Sequence, residues 1–93
     1  MNLPTDYTKL NAKQKKLVRE LYIEEQDNKC CACGELLSGS PRQDIIEAKI
    51  TYRLFPPGFL KNPIHLQHDH DTNMTEGAVH AKCNAVLWEY YGK

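Results

Sequence analysis

Two pairs of metal-binding residue types stand far apart in the chain. Cys30 and Cys33 form a Cys-x-x-Cys pair followed by glycine, and His80 and Cys83 form a His-x-x-Cys pair near the other end. At this spacing one turn of backbone directs both side chains at one tetrahedral ion, so the four residues predict a structural zinc site. Four protein ligands leave no position for water, and such an ion stabilises the fold instead of reacting. Cys31 is then a spare thiol, because Cys31-x-Cys33 is too short for this turn.

The cysteines also allow two other interpretations, a redox-active Cys-x-x-Cys pair and buried thiols without a metal. The distant His80-x-x-Cys83 pair favours zinc over both. The sequence shows no signal peptide, basic presequence or apolar run of membrane-spanning length, which indicates a reducing cytoplasm. We therefore expect a cytoplasmic, non-membrane protein that holds one Zn²⁺.

A second polar cluster lies between the two ligand pairs. A Gln-His-Asp-His run occupies positions 67–70, and Asn84 directly follows the last cysteine. A neutral imidazole, with a pKa of about 6.5, is suited to removing a proton at neutral pH. Amide and carboxylate oxygens are suited to a hard divalent ion. This combination favours metal-assisted hydrolysis.

The cluster and its neighbours resemble the His-Me finger, or HNH, nucleases, and among them the phage recombination endonuclease VII family. The signature of that family runs Asp-His-Asp-His, Thr-Gly, Arg-Gly and Cys-x-x-Cys-Asn. The same register holds without a gap in this chain for Gln67-His68-Asp69-His70, Thr72-Asn73, Glu76-Gly77 and His80-x-x-Cys83-Asn84. The resemblance covers about residues 30–84. It implies a ββα-metal fold, a catalytic ion beside the structural zinc, and a phage-encoded enzyme that cuts DNA in the host cell.

The resemblance also implies residue roles. His68 corresponds to the general base, while Asn84 and position 67 correspond to the protein ligands of a catalytic Mg²⁺ or Mn²⁺. Gln67 stands where the family has Asp, and an amide oxygen holds Mg²⁺ more weakly than a carboxylate does. If the strand continues, Asp69 shares a face with Gln67, so either residue can complete the metal site. By the same alternation His70 lies with His68 as a supporting or alternative catalytic group.

Other departures from the family pattern concern the loop and the zinc site. Asn73 replaces Gly and tolerates the same left-handed turn. Glu76 replaces Arg and removes a phosphate contact. His80 replaces Cys and keeps four zinc ligands. His65 is expected to be a surface strand residue, and the aromatic residues near the end of the chain are expected to pack against the core.

The elements that position these residues follow from periodicity and from turn residues. A helix over about 11–27 is predicted, with Asn11 as N-cap and Gln14 completing a capping box. A tight turn follows at 30–34, where Gly34 supplies a positive φ. Strands over 63–68 and 77–80, joined by a polar loop, predict a hairpin. A closing helix is predicted over 81–91.

The stretch over 35–62 is the least clear. Ser40, Pro41 and Gln43 match an N-cap, first helical residue and capping-box partner, which favours a helix over about 41–53. A strand is the alternative, because apolar and polar residues alternate between Ile46 and Tyr52.

The expected protein is one small α+β domain over residues 1–93, with a zinc-stabilised ββα-metal core over about 63–91 and an N-terminal helix. A formal net charge of zero argues against a passive polyanion binder, although five basic residues lie among the first nineteen positions: Lys9, Lys13, Lys15, Lys16 and Arg19. From the resemblance to the His-Me finger nucleases we expect a DNA endonuclease. The alternatives are a non-catalytic zinc module that binds DNA or a protein, and a zinc-stabilised adaptor without a nucleic-acid role.

Overall fold

Helix α1 spans Ala12–Glu25 in the computed structural model, which describes residues 2–92. Its capping box is present, because Asn11 Oδ1 accepts the Gln14 N–H at 2.8 Å and Gln14 Oε1 accepts the Asn11 N–H at 2.9 Å. The helix ends before the predicted residue 27, since Asp27 and Asn28 adopt left-handed φ values of 58° and 60°. The predicted N-terminal helix is otherwise confirmed.

A two-stranded antiparallel hairpin forms the sheet, with β1 over Ile64–His68 and β2 over Thr75–His80. Ile64 pairs with His80, and a bulge at Glu76 makes His68 pair with Thr75. The predicted hairpin is confirmed, but β2 begins before Gly77. Strand β1 ends at His68, as predicted, so the condition under which Asp69 and His70 would share faces with Gln67 and His68 is not met.

The loop after β1 is held by the N-terminal segment. Tyr7 N–H donates to the Asn73 carbonyl and Thr75 N–H donates to the Thr5 carbonyl, each at 2.8 Å. Asn73 has a φ of 65°, so it makes the left-handed turn that was predicted for it. This pairing brings the Tyr7 ring to the end of β1.

The predicted helix over 41–53 is wrong. Only Gln43–Glu47 forms a helix, α2, and its N-cap is Arg42 without a side-chain cap bond. No residue of α2 is buried, so tertiary packing does not extend it. The strand alternative is also wrong, because residues 48–63 contain a 3₁₀ turn at Tyr52–Leu54 and no strand among the described residues.

Helix α3 spans Ala81–Tyr91, as predicted, and begins directly at the end of β2. It buries Cys83, Ala85 and Val86 and ends at Gly92, whose φ is 72°. The expectation that its aromatic residues pack into the core is wrong, since Trp88 and Tyr91 are 40 % and 68 % exposed.

The core lies between α1, the hairpin and α3, and it is small. Its fully buried side chains include Val18, Leu37, Val79 and Cys83. The radius of gyration is 12.7 Å, close to the roughly 12 Å of a compact chain of this length. Within residues 2–92 no helix is both long enough and apolar enough to cross a membrane.

Candidate functional site

The predicted zinc ligands come together at the junction of β2 and α3. One donor atom from each of Cys30, Cys33, His80 and Cys83 lies within 4.8 Å of the others. His80 Nδ1 is 3.5 Å from Cys33 Sγ and 3.7 Å from Cys83 Sγ. Zinc bonds of about 2.3 Å to sulfur and 2.0 Å to nitrogen place tetrahedral ligands about 3.5 Å apart. The four residues therefore form a group that could hold one metal ion.

The turn after α1 prepares Cys30 as a thiolate. Its sulfur accepts backbone N–H groups from Ala32, Cys33 and His80 at 3.4 to 3.5 Å. A hydrogen bond from the Cys83 thiol, together with these N–H groups, lowers the pKa of Cys30 to about 4. The thiolate is the form of cysteine that binds metals. Gly34 closes this turn with a φ of 82°, as predicted.

His80 has one ring nitrogen fixed by the backbone. Its Nε2 lies 2.8 Å from the Leu36 carbonyl oxygen, which can only accept, so Nε2 carries the proton. Nδ1 is then unprotonated and faces the sulfurs of Cys33 and Cys83. Such a second contact is typical of metal-binding histidines because it sets the tautomer. The Leu36 contact could not be predicted from the sequence, because it depends on how the 30–37 turn packs on β2.

Cys31 lies outside the cluster and faces the other side of the turn. Its N–H donates to the Ala78 carbonyl at 3.0 Å, and its thiol is near the Glu76 carbonyl. Burial raises the pKa of Cys31, so this thiol stays protonated. Its interpretation as a spare thiol agrees with this position.

A cleft of about 560 Å³ lies on the other side of the hairpin, between α1, β1, α3 and residues 54–62. Four of the predicted site residues line it, namely Gln67, His68, His70 and Asn84. Asp69 does not line it. The structure therefore brings most of the predicted catalytic set together, in a space separate from the cysteine cluster.

His68 is packed between aromatic rings in this cleft. Its ring stacks on Tyr7 with centroids 4.0 Å apart and planes 10° apart, and the His70 ring approaches edge-on at 4.9 Å. Lys15 Nζ caps the other face of Tyr7 at 4.2 Å from the ring centroid. Burial, followed by the positive charges of His70 and Lys15, lowers the pKa of His68. His68 is therefore neutral at neutral pH and can accept a proton.

Two amide side chains present oxygen atoms near His68. Asn84 Nδ2 is 3.1 Å from His65 Nδ1, and because an amide nitrogen only donates, His65 Nδ1 accepts. Gln67 Nε2 donates to Glu76 Oε1 at 3.2 Å. Both contacts use the amide nitrogen, so Oδ1 of Asn84 and Oε1 of Gln67 are the atoms that would face a cation. Two neutral oxygens suit a hard divalent ion but bind it weakly.

Asp69 serves the loop instead. Its Oδ1 accepts the backbone N–H groups of Asp71 at 2.7 Å and Thr72 at 3.0 Å, and these bonds lower the pKa of Asp69. The carboxylate beside Gln67 belongs to Glu76, which sequence reasoning treated only as a lost basic residue. No sequence signal indicated this neighbour, because it follows from the bulge in β2.

His65 is a further site residue that sequence reasoning missed. It is partly buried and lines the cleft. Its ring meets the Phe59 ring edge-on, with the ring centroids 4.7 Å apart. Burial lowers the pKa of His65. The expectation of a surface position is wrong, although strand alternation carries the signal, since residues 65 and 67 share a face.

Basic and aromatic side chains line the same cleft. Lys15 and Arg19 of α1 line it and are partly buried. Within residues 2–92 neither side chain has a carboxylate at ion-pairing distance. Phe55, Phe59 and Trp88 supply the aromatic part. The cleft therefore combines two cations and three aromatic rings, of which Trp88 is the most exposed, with the histidines.

No protein-family model, curated protein sequence or solved structure matches this chain. The function must therefore be inferred from the chemistry of the two sites. The cysteine cluster has the donors of a metal centre. The cleft has a neutral histidine, two amide oxygens and two cations.

Proposed function

We propose that this chain is a divalent-metal-dependent DNA endonuclease of the HNH type, built on a ββα-metal fold. The observation that carries the proposal is that His68, kept neutral by its surroundings, lines one cleft together with Gln67 and Asn84. Lys15 and Arg19 add positive charge at the same cleft, where a phosphodiester would lie. A base, hard oxygen donors and phosphate-binding cations together support phosphodiester hydrolysis.

The cysteine cluster would hold a structural zinc. Cys83 lies next to Asn84 at the start of α3, and His80 ends β2. Binding these residues to Cys30 and Cys33 would fix α3 against the hairpin and so set the position of Asn84. Soft thiolate and imidazole donors suit zinc, whereas the oxygen donors of the cleft suit Mg²⁺ or Mn²⁺.

In the proposed reaction a ring nitrogen of His68 takes the proton from the attacking water. The oxygens of Gln67 and Asn84 would hold the catalytic ion, which would supply stabilisation of the negative charge on the leaving 3′ oxygen. Glu76 orients Gln67 through its amide nitrogen, and His65 orients Asn84 in the same way. The products would carry 5′-phosphate and 3′-hydroxyl ends.

Nicking of supercoiled plasmid with a panel of divalent ions tests this function. We expect activity with Mg²⁺ or Mn²⁺ and a loss of about 10²- to 10⁴-fold in His68→Ala, the usual contribution of a general base. His70→Ala is the matched comparison, because His70 lies 4.9 Å from His68 without sharing the Tyr7 stack. Full activity of His68→Ala would exclude His68 as the base. Zinc content is measured in parallel, so that metal chelation at the cleft is distinguished from zinc loss.

A non-catalytic zinc module that binds DNA or a protein is the second candidate. It is favoured by one observation, that both predicted catalytic-metal ligands are neutral amides held by neighbouring side chains. Such a module would retard DNA in a gel without cleaving it at any metal concentration. Reproducible metal-dependent nicking by purified protein, lost in His68→Ala, would exclude it.

A further inference from the structure

Three aromatic side chains form a continuous wall beside the histidines of the cleft. The centroid of the Phe55 ring lies 4.8 Å from that of Phe59 and 5.4 Å from that of Trp88, which Phe55 meets edge-on. Phe59 in turn contacts His65. Trp88 remains 40 % exposed although it belongs to this cluster. Aromatic area left exposed in a cleft is available to stack with a planar ligand.

Two cations face the same space from α1. Lys15 and Arg19 are four positions apart, so they project from one face of the helix. Lys15 Nζ lies over the Tyr7 ring, and the positive charge of Arg19 is one of the causes that lower the pKa of His65. Their lack of a carboxylate partner within residues 2–92 leaves their charge available to an anion.

We propose that this cleft binds one unpaired nucleotide of a DNA strand, with its base against Phe55 and Trp88 and the adjoining phosphates on Lys15 and Arg19. The inference rests on the proposed nuclease function and specifies the form of its substrate. A cleft of about 560 Å³ has the size of a small-ligand site.

The aromatic wall favours a single strand over a duplex. Duplex DNA presents phosphates and sugars, and the faces of its bases are covered by neighbouring bases. An unpaired base offers a free face, and stacking on an aromatic side chain then adds affinity regardless of sequence. A net charge of zero gives the whole molecule little general attraction to duplex phosphates.

Trp88 is the sole tryptophan of the sequence, so its fluorescence reports binding at this wall. The full chain, zinc-loaded and carrying His68→Ala to prevent cleavage, is titrated with a short oligothymidylate and with a blunt duplex of equal length. We expect the single strand to quench the fluorescence saturably, with a dissociation constant about tenfold or more below that of the duplex. Equal affinity for the two, or no quenching, would overturn the inference.

Paired variants test each half of the proposal. Phe55→Leu keeps the apolar volume but removes the aromatic face, and it should weaken oligothymidylate binding by about 5- to 100-fold. Tyr91→Leu is the control, since Tyr91 is 68 % exposed and lies outside the cleft. Lys15→Gln should reduce the slope of log K against log salt by about 0.7, the value for one single-strand phosphate contact. Lys16→Gln has the same charge change and should leave the slope intact.

The outcomes separate this inference from the nuclease function. Strand-selective binding without any metal-dependent nicking would overturn the proposed function and leave the nucleotide site standing. Metal-dependent nicking by a protein that binds single strand and duplex with equal affinity would support the proposed function and overturn the nucleotide site. Circular dichroism and zinc content confirm that each variant is folded. If Phe55→Leu fails this check, the comparison of Lys15→Gln with Lys16→Gln decides, and equal slopes for the two would refute the phosphate contact.

Discussion

Tyr7 stacks on His68 and so contributes to the burial that lowers the pKa of His68. The stack of the two rings removes water from one face of the imidazole, and Lys15 adds a positive charge beyond Tyr7. Both effects disfavour the imidazolium form, so both lower the pKa of His68 below its ordinary value of about 6.5. In the proposed nuclease, a general base with a lowered pKa would stay neutral into mildly acidic solution.

Replacing Tyr7 should therefore change the pH dependence of cleavage. A general base must be neutral, so activity falls as the pH drops through its pKa. We expect the acid limb of kcat/KM to lie below about pH 6.5 in the native protein and to move upward in Tyr7→Ala, where water reaches the imidazole. Tyr7→Phe keeps the ring and should keep the limb in place. Identical profiles for Tyr7→Ala and Tyr7→Phe would show that the stack does not tune His68.

Residue types and spacing identified the metal cluster because the ligand pairs are local in sequence. The same reasoning brought His68 and Asn84 into one site through the family resemblance. It missed Tyr7, because residues 5–7 reach the site only by pairing with the loop after β1. It left open whether Gln67 or Asp69 completes the metal site, because the capping of the loop by Asp69 depends on where β1 ends.

Among the elements, those with their own local signals were predictable. Helix α1 carries its capping box in the sequence, and α3 is a largely apolar run without internal Gly or Pro that ends at a glycine. The region over 41–53 has helix-start residues but no face that the fold buries, so local preference alone yields only the short α2. Burial is a property of the whole chain and could not be read from that segment.

The contact between α1 and β2 depends on a side-chain amide that forms the two hydrogen bonds a neighbouring strand would form. Gln26 follows α1, and its amide donates to the Ala78 carbonyl and accepts the Ala78 N–H, each at 2.9 Å. Gly77, with a φ of 159°, lets this amide approach, because a Cβ there would stand 2.7 Å from Gln26 Oε1 and 3.1 Å from Cys31 Sγ. The glycine is thus required by close packing.

Gly77→Ala should therefore destabilise the protein. Moving Gln26 away from the new Cβ would break its two bonds to Ala78, and overpacking of this kind costs about 1–3 kcal/mol. Urea unfolding followed by circular dichroism measures the change in free energy of unfolding. Gly39→Ala is the control, since its nearest neighbour would lie at 3.6 Å. Equal stability of the two variants would contradict this account of Gly77.

At the scale of the whole molecule, a metal ion held by the cysteine cluster would compensate for a small core. A chain of 93 residues buries a modest fraction of its surface, and hydrophobic burial alone leaves such domains marginally stable. The cluster joins the turn after α1 to the junction of β2 and α3, so one ion would connect the elements that enclose the core. Metal binding and folding are then expected to be one equilibrium.

Cys33→Ser and Cys31→Ser provide a matched test of that coupling, because the two cysteines lie in the same turn and only Cys33 belongs to the cluster. We expect native mass spectrometry to find one zinc per chain in the natural protein and in Cys31→Ser, with similar melting temperatures. Cys33→Ser should lose zinc to a chelator at far lower concentration and lose its cooperative melting transition, because the ion can no longer complete its shell. Chelator-treated natural protein should behave in the same way and recover on zinc addition. A zinc-free chain that still melts cooperatively would show that the core alone holds this fold.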